Sequence, residues 1–223
     1  MNKIIFDIET AGVDFESLDE TSQEYFLKYA ATDEEKVAAK ESMSFFPVTA
    51  EIVALGMLDA DADKGFMFYQ DKGKKTARTN KDGIDYIAAT EKEILDYFWT
   101  YIKQCRQYVT FNGRGFDCPF ILIRSAIQKI KPTRNIVPYR YDYKEHVDLM
   151  DQLMFYGASR RRFSLHMWCK AFGIPSPKEA GVTGLEVKDL FQQGKYLDIA
   201  QYCAGDLRAT RALFHYWEQF LKF

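Results

Sequence analysis

Several things are scarce in this chain, and each scarcity removes a class of function. The only cysteines are Cys105, Cys118, Cys169 and Cys203, widely spaced, with no CxxC pair and no ligand spacing. That argues against a zinc module or a disulfide framework and for reduced, mostly buried thiols. The three histidines, His146, His166 and His215, are isolated and show no zinc spacing either. Neither sign of charge dominates: 30 Lys and Arg stand against 32 Asp and Glu, a formal charge of −2. No global basic field advertises a polyanion, so any nucleic-acid partner must be held by a local patch. No apolar run is long enough to span a membrane, and the amino terminus lacks a basic, cleavable leader. A cytoplasmic protein with no membrane partner is the expectation. Internal repeats and low-complexity linkers are missing too, and 223 residues fit one domain with elaborations.

What is present begins with Lys3-Ile4-Ile5-Phe6-Asp7-Ile8-Glu9-Thr10, an apolar run that reads as a strand. Alternate side chains of a strand share a face, so Asp7 and Glu9 point one way and Phe6 and Ile8 the other. Two neighbouring carboxylates in a partly buried setting repel unless a proton or a cation sits between them. A metal site resolves the conflict; an edge strand whose acids face water is the plain alternative.

The residues from Asp14 to Ser44 are polar and acidic, with Leu18, Tyr25, Phe26 and Tyr29 at roughly helical intervals, and predict a helical insertion at about 14–45 closed by Phe45-Phe46-Pro47. Strands follow at Glu51–Leu58 and Lys64–Tyr69, joined by the turn Asp59–Asp63, so that three strands form an antiparallel meander. Residues 71–83 lack periodicity and read as an exposed loop. Thr90 and Glu93 form a capping box ahead of the apolar stripe Ile94, Leu95, Phe98, Ile102. Tyr108–Phe111 is a short strand that stops at Asn112-Gly113-Arg114-Gly115, and Pro119 suits the first turn of the next helix, which places Asp117 at a strand-to-helix junction. A last short strand near His146, a helix over Ser164–Phe172 closed by Gly173, a loop over Gly181–Gly184, and a long helix from about Tyr196 complete the chain. Meander followed by alternation implies an α/β fold with a mixed central sheet flanked by helices.

On the last helix Tyr202 and Asp206 are one turn apart and share a face. The runs Phe6-Asp7-Ile8-Glu9-Thr10, Asn112-Gly113 with Phe116-Asp117, and Tyr202-Cys203-Ala204-Gly205-Asp206 stand in the order of the three exonuclease motifs of the DEDD superfamily. The tyrosine matches its Tyr-containing subclass. The chain resembles the predicted 3′-5′ exonucleases related to the proofreading domain of family B DNA polymerases, and the likeness takes in His146-Val147-Asp148-Leu149 and Leu165 through Gly173-Ile174-Pro175 to Gly181 and Gly184. It implies an RNase H-like fold and removal of nucleotides from the 3′ end of single-stranded DNA. The alternatives are an exoribonuclease, which uses the same carboxylate chemistry, and a non-catalytic nucleic-acid-binding module that keeps the fold.

Four carboxylates suit hard cations such as Mg²⁺ or Mn²⁺ better than His or Cys would, and two such ions roughly 4 Å apart can activate water and stabilise a leaving 3′-oxygen. The resemblance implies that Asp7 bridges both ions, that Glu9 and Asp206 complete the nucleophile-side site, that Asp117 holds the second ion through water, and that Tyr202 orients the attacking water. Thr10, Asn112, Phe116, Arg160 and Arg161 are the candidate substrate contacts. Arg160-Arg161-Arg162 could neutralise phosphates, or form a solvated turn. The basic and aromatic run from Lys129 to Tyr143 could stack on bases, or only pack. Asp148 reads as a buried supporting acid or helix cap, His215 as structural, and Asp59, Asp61 and Asp63 as a solvated hairpin. The insertion begins beside the acids and could cap them. A proofreading role would call for a replication or repair partner in trans.

Overall fold

The computed structural model describes residues 2–72, 78–176 and 186–222. Strand β1 (Lys3–Gly12) is followed by helices α1 (Glu20–Leu27) and α2 (Asp33–Ser42), strands β2 (Ala50–Asp59), β3 (Gly65–Gln70), β4 (Arg78–Lys81) and β5 (Ile84–Ala89), and helix α3 (Glu91–Ile102). Then come β6 (Gln107–Thr110), α4 (Asp117–Ile127), β7 (His146–Asp148), and helices α5 (Leu149–Leu153), α6 (Leu165–Phe172), α7 (Val187–Gln192) and α8 (Tyr196–Phe220). Among the described residues the strands form one sheet in the order β4-β5-β3-β2-β1-β6-β7. It is mixed: β1 runs antiparallel to β2 and parallel to β6, and β6 runs parallel to β7. No described helix is long and apolar enough to cross a membrane.

Strand alternation sorts the core. Ile4, Phe6 and Ile8 pack with Ile94, Phe98 and Phe120 on the α3/α4 side, while Ile5 and Ala11 pack with Cys203, Leu207 and Phe214 on the α8 side. Asp7 and Glu9 share the phase of Ile5 and Ala11, so period two alone turns both acids toward α8. Gly56 pairs with Asp7 across β1 and β2. A Cβ at Gly56 would stand 2.3 Å from Leu207 Cδ1 and 2.6 Å from Met67 Cε, so its lack of a side chain lets α8 settle against the sheet. That close approach brings Asp206, the neighbour of Leu207, over the acids of β1. Beyond Glu9 the β1–β2 register shifts, leaving Val53 as an extra residue on β2; such bulges bend a strand and re-aim its later side chains.

The segment between β1 and β2 is helical. Asp19 caps α1 through Ser22 N, and Thr32 with Glu35 forms a capping box on α2. Neither helix buries a residue, and Tyr25 and Tyr29 of the apolar stripe are 75% and 86% exposed. Attachment comes instead from Phe15 and Met43, both buried, and from Ser44, whose carbonyl accepts from Thr10 Oγ1 at 2.7 Å and whose hydroxyl accepts from Gly12 N at 3.1 Å.

One expectation is corrected. Within the stretch read as a loop, residues 78–81 form β4, an edge strand paired with β5 through a tight turn at Asp82 and Gly83, both at positive φ. All four β4 residues are exposed, so the strand carries no apolar alternation to betray it; the backbone ladder and the Arg78–Asp85 ion pair at 2.6 Å hold it. The usable signal was Asp-Gly ahead of Ile84, a two-residue hairpin turn. The loop expected over Gly181–Gly184 lies outside the described residues. Helices α5 and α7 are too short to show a period.

Candidate active site

The acids gather at the carboxyl end of β1, where the connections leaving β6 and β7 also arrive. Ligands of open α/β sheets bind at such strand ends. Side-chain oxygens of Asp7 and Glu9 and the Cys203 sulfur all lie within 4.8 Å of one another. Asp117, in the first turn of α4, accepts from Ile8 N through Oδ1 at 3.1 Å, the amide between the two β1 acids. Asp206 lies one helical turn beyond Tyr202 on α8, and both line a cavity of about 210 Å³ with Asp7, Asn112 and His166. Asp7 opens onto this cavity, whereas Glu9 and Asp117 are buried, 7% and 3% exposed.

Burial and company make the cluster electrostatically costly. Burial raises the Asp7 carboxyl well above the usual range, and Asp117, Asp206 and Glu9 raise it further. Glu9 is raised by burial and then by Asp206 and Asp117. Asp117 is pushed up to about 7, mainly by burial, with backbone amides opposing. None of these three takes part in an ion pair among the described residues. The Tyr202 phenol is raised by burial, then by Asp206, Glu9 and Asp7, and it is hydrogen-bonded to Asp206. It therefore stays protonated and able to donate. A set of mutually repelling carboxylate oxygens is the donor set of a hard divalent cation, which would remove the repulsion.

The remaining candidates scatter. Thr10 is buried, with its hydroxyl committed to Ser44 O. Asn112, in the left-handed region at φ 63, lines the acid cavity. Phe116 precedes α4 and packs on Phe120 with ring centroids 5.4 Å apart, away from the cavity lining. Arg160 lines a neighbouring hollow, and Arg161 lies over the Phe163 ring at 5.3 Å.

Asp148 is buried and is the helix cap expected of it. Its carboxylate accepts from Met150 N at 3.0 Å and Asp151 N at 3.4 Å on α5, and from Asn112 N at 3.0 Å and Arg114 N at 2.8 Å. It thus clamps the loop that carries Asn112. His215 Nε2 lies 2.9 Å from Ala60 O, and Asp59 Oδ1 accepts from Asp61 N and Ala62 N within its turn. Of the run from Lys129 to Tyr143, Ile136 is core and Arg134 donates to Cys105 O at 2.7 Å, while Tyr139 and Tyr141 are exposed.

Two neighbours of the acids were missed by sequence reasoning. Cys203 Sγ stands 3.6 Å from Asp7 Oδ2, and burial pushes its thiol well up, so it remains protonated. Its signal was helical phase, four residues from both Ile199 and Leu207 on the sheet-facing stripe. His166 lines the cavity with Nδ1 2.7 Å from Ser176 Oγ; no spacing in the sequence marks it.

A family model described as a predicted 3′-5′ exonuclease related to the exonuclease domain of PolB matches residues 52–221. That span holds Asp117, Tyr202 and Asp206; Asp7 and Glu9 precede it. Among solved structures the chain is similar to the family B DNA polymerase of the hyperthermophilic archaeon Pyrobaculum calidifontis, with 16% identity and a TM-score of 0.61 over 98% of this chain and 25% of that one. The chain thus spans about a quarter of the polymerase's length. The likeness gives the fold, an α/β RNase H-like sheet flanked by helices. No curated protein matches.

Proposed function

Because this chain belongs to the family of predicted 3′-5′ exonucleases related to the exonuclease domain of PolB, we propose that it is a metal-dependent hydrolase that removes nucleotides from the 3′ end of single-stranded DNA. The observation that carries the reading is the convergence of Asp7, Glu9, Asp117 and Asp206 with the protonated Tyr202 at one strand end. In this reading residues 1–223 act as one exonuclease-like domain with an insertion at about 14–45.

Asp7, Glu9, Asp117 and Asp206 would hold two divalent cations, Mg²⁺ or Mn²⁺, which supply a nucleophile from water and charge stabilisation at the leaving 3′-oxygen. Asp7, which lines the cavity and whose carboxyl is raised by all three of the other acids, would be the acid available to both ions. The Tyr202 hydroxyl, hydrogen-bonded to Asp206 here, would turn its single proton to the attacking oxygen and so orient it without giving that proton up. Ile8 N holds the Asp117 carboxylate in place, and the Asp148 clamp does the same for the Asn112 loop.

The test is degradation of a 5′-labelled single-stranded DNA with Mg²⁺ or Mn²⁺, beside an EDTA control, the Asp7→Ala protein and a matched RNA. A ladder that shortens from the 3′ end and vanishes with EDTA and with Asp7→Ala is the expected result. No shortening of either polymer would overturn the proposal in favour of a binding module.

A further inference from the structure

Beside the acid cavity lies a hollow of about 530 Å³, and Asn112 and Met150 line both. Its wall holds four arginines, Arg114, Arg140, Arg160 and Arg162, against two aspartates, Asp148 and Asp151. The aspartates are already engaged. Asp148 accepts from four backbone amides, and Asp151 pairs with Arg140 and faces Arg114 Nε at 3.5 Å. Arg160 and Arg162 are exposed and make no ion pair among the described residues. Arg114 Nε is a buried donor with no hydrogen-bond partner, and such groups are uncommon and costly. In a chain of formal charge −2 this is a local concentration of positive charge.

Between the charged groups the lining mixes Asn112 and Ser159 with an apolar part, Met150, Met154 and Tyr156, that sits on a stiff stretch of backbone. Phe155, Tyr156 and Gly157 all have positive φ, at 48, 54 and 104°, and two of these are not glycine, so the surroundings must hold the backbone there against its preference. The Tyr156 hydroxyl accepts from Gln152 Nε2 at 2.6 Å, which fixes the ring. Cationic side chains around an aromatic and thioether surface are the chemistry that receives a nucleotide: phosphate on arginine, base on a flat or soft apolar group.

The acid cavity itself repels a phosphodiester until cations are bound, so attraction for the strand has to come from an adjoining surface. We infer that the arginine hollow is a second nucleotide subsite, seating an internal nucleotide of the strand whose 3′ end lies among the acids, with Arg160 and Arg162 on phosphate and Tyr156 against the base. The inference rests on the proposed nuclease reading. It makes the enzyme length-selective, since a substrate too short to reach the hollow forgoes these contacts.

Fluorescence anisotropy of 5′-labelled oligothymidylates of two to ten nucleotides, in Ca²⁺ as a hard cation that neutralises the acids, tests it against the Arg160→Glu/Arg162→Glu protein; both side chains are exposed, and circular dichroism checks the fold. The expected result is a step in affinity with length that falls roughly tenfold or more in the variant, with a salt slope lower by about 1.4 for two lost phosphate contacts. Equal affinity and equal slope in the two proteins would overturn the subsite. Shortening of the same oligonucleotides in Mn²⁺ is scored in parallel. Length-dependent, arginine-dependent binding without shortening overturns the nuclease reading alone; shortening with no difference in binding between the two proteins overturns the subsite alone.

Discussion

Glu9 and Glu91 are glutamates of nearly equal burial, 7% and 5% exposed, on opposite faces of the same part of the sheet, and they live in opposite company. Glu91 accepts from Arg124 Nε at 2.8 Å and Nη2 at 2.7 Å, from Gln128 Nε2 at 2.6 Å and from Ile52 N at 2.9 Å. Every lone-pair direction has a donor, and two of those donors are cationic. Glu9 has carboxylates for neighbours. Burial of an acid therefore says little about its task; its surroundings decide. Glu91 ties α3, α4 and β2 together, while Glu9 lies among other carboxylates and has no ion-pair partner among the described residues.

The contrast can be broken most sharply at the acids. Asp7→Ala and Asp206→Ala should each lower nuclease rate on the order of a thousandfold or more, as loss of preorganised electrostatic groups does, with the circular dichroism spectrum retained. Wild-type rates in either variant would remove that residue from the site. At Glu91 the change should fall on stability. Glu91→Ala leaves Arg124, whose side chain is 12% exposed, without its counter-charge, and should cost about 3–5 kcal/mol in urea unfolding. Activity per folded molecule should persist; a variant of full stability would show the pair to be dispensable. Tyr202→Phe keeps the ring and loses only a donor, so a drop of roughly tenfold is expected, set by one hydrogen bond. Larger loss would mean that the phenol does more than position water.

The smallest effect is a pH trend in EDTA. The folded-state pKa of Asp117 is raised to about 7, so the stability it contributes is fully present below its ordinary value of 3.8 and is lost as pH rises through 7. His146, lowered to about 3 by burial and then by Arg114 and Arg134, acts the other way: its contribution is present above 6.5 and is lost as pH falls toward 3. Asp117→Asn keeps an acceptor for Ile8 N and removes only the first trend. Its thermal midpoint should gain on the wild type between pH 5 and pH 8, and Mn²⁺ should close the gap by stabilising the wild type. A difference independent of pH would mean that Asp117 is not the group under strain.

Much of this was legible in local pattern. The capping box at Thr90, the closing Gly173 at φ 68 and the β2–β3 hairpin arise from neighbours a few residues apart, and only the pairing of β1 with β2 reaches across the inserted helices. The hidden parts depend on distant partners or on backbone alone. Strand β4 carries no apolar face, and the Tyr25–Tyr29 stripe found no surface to cover. Arg160 and Arg161 were the arginines expected at the substrate, yet Arg160 and Arg162 line the hollow and Arg161 turns onto Phe163.

The sequence by itself determined that Asp7 and Glu9 share a face, that Tyr202 and Asp206 share another, and that Asp117 opens a helix, because periods of 2 and 3.6 residues are properties of the local backbone. Only the tertiary structure decided that these three places meet, that Cys203 rests against Asp7, and that Glu91 finds Arg124 while Glu9 finds other acids. Those outcomes turn on which elements pack together, and on details such as the bare backbone at Gly56 that lets α8 approach β1.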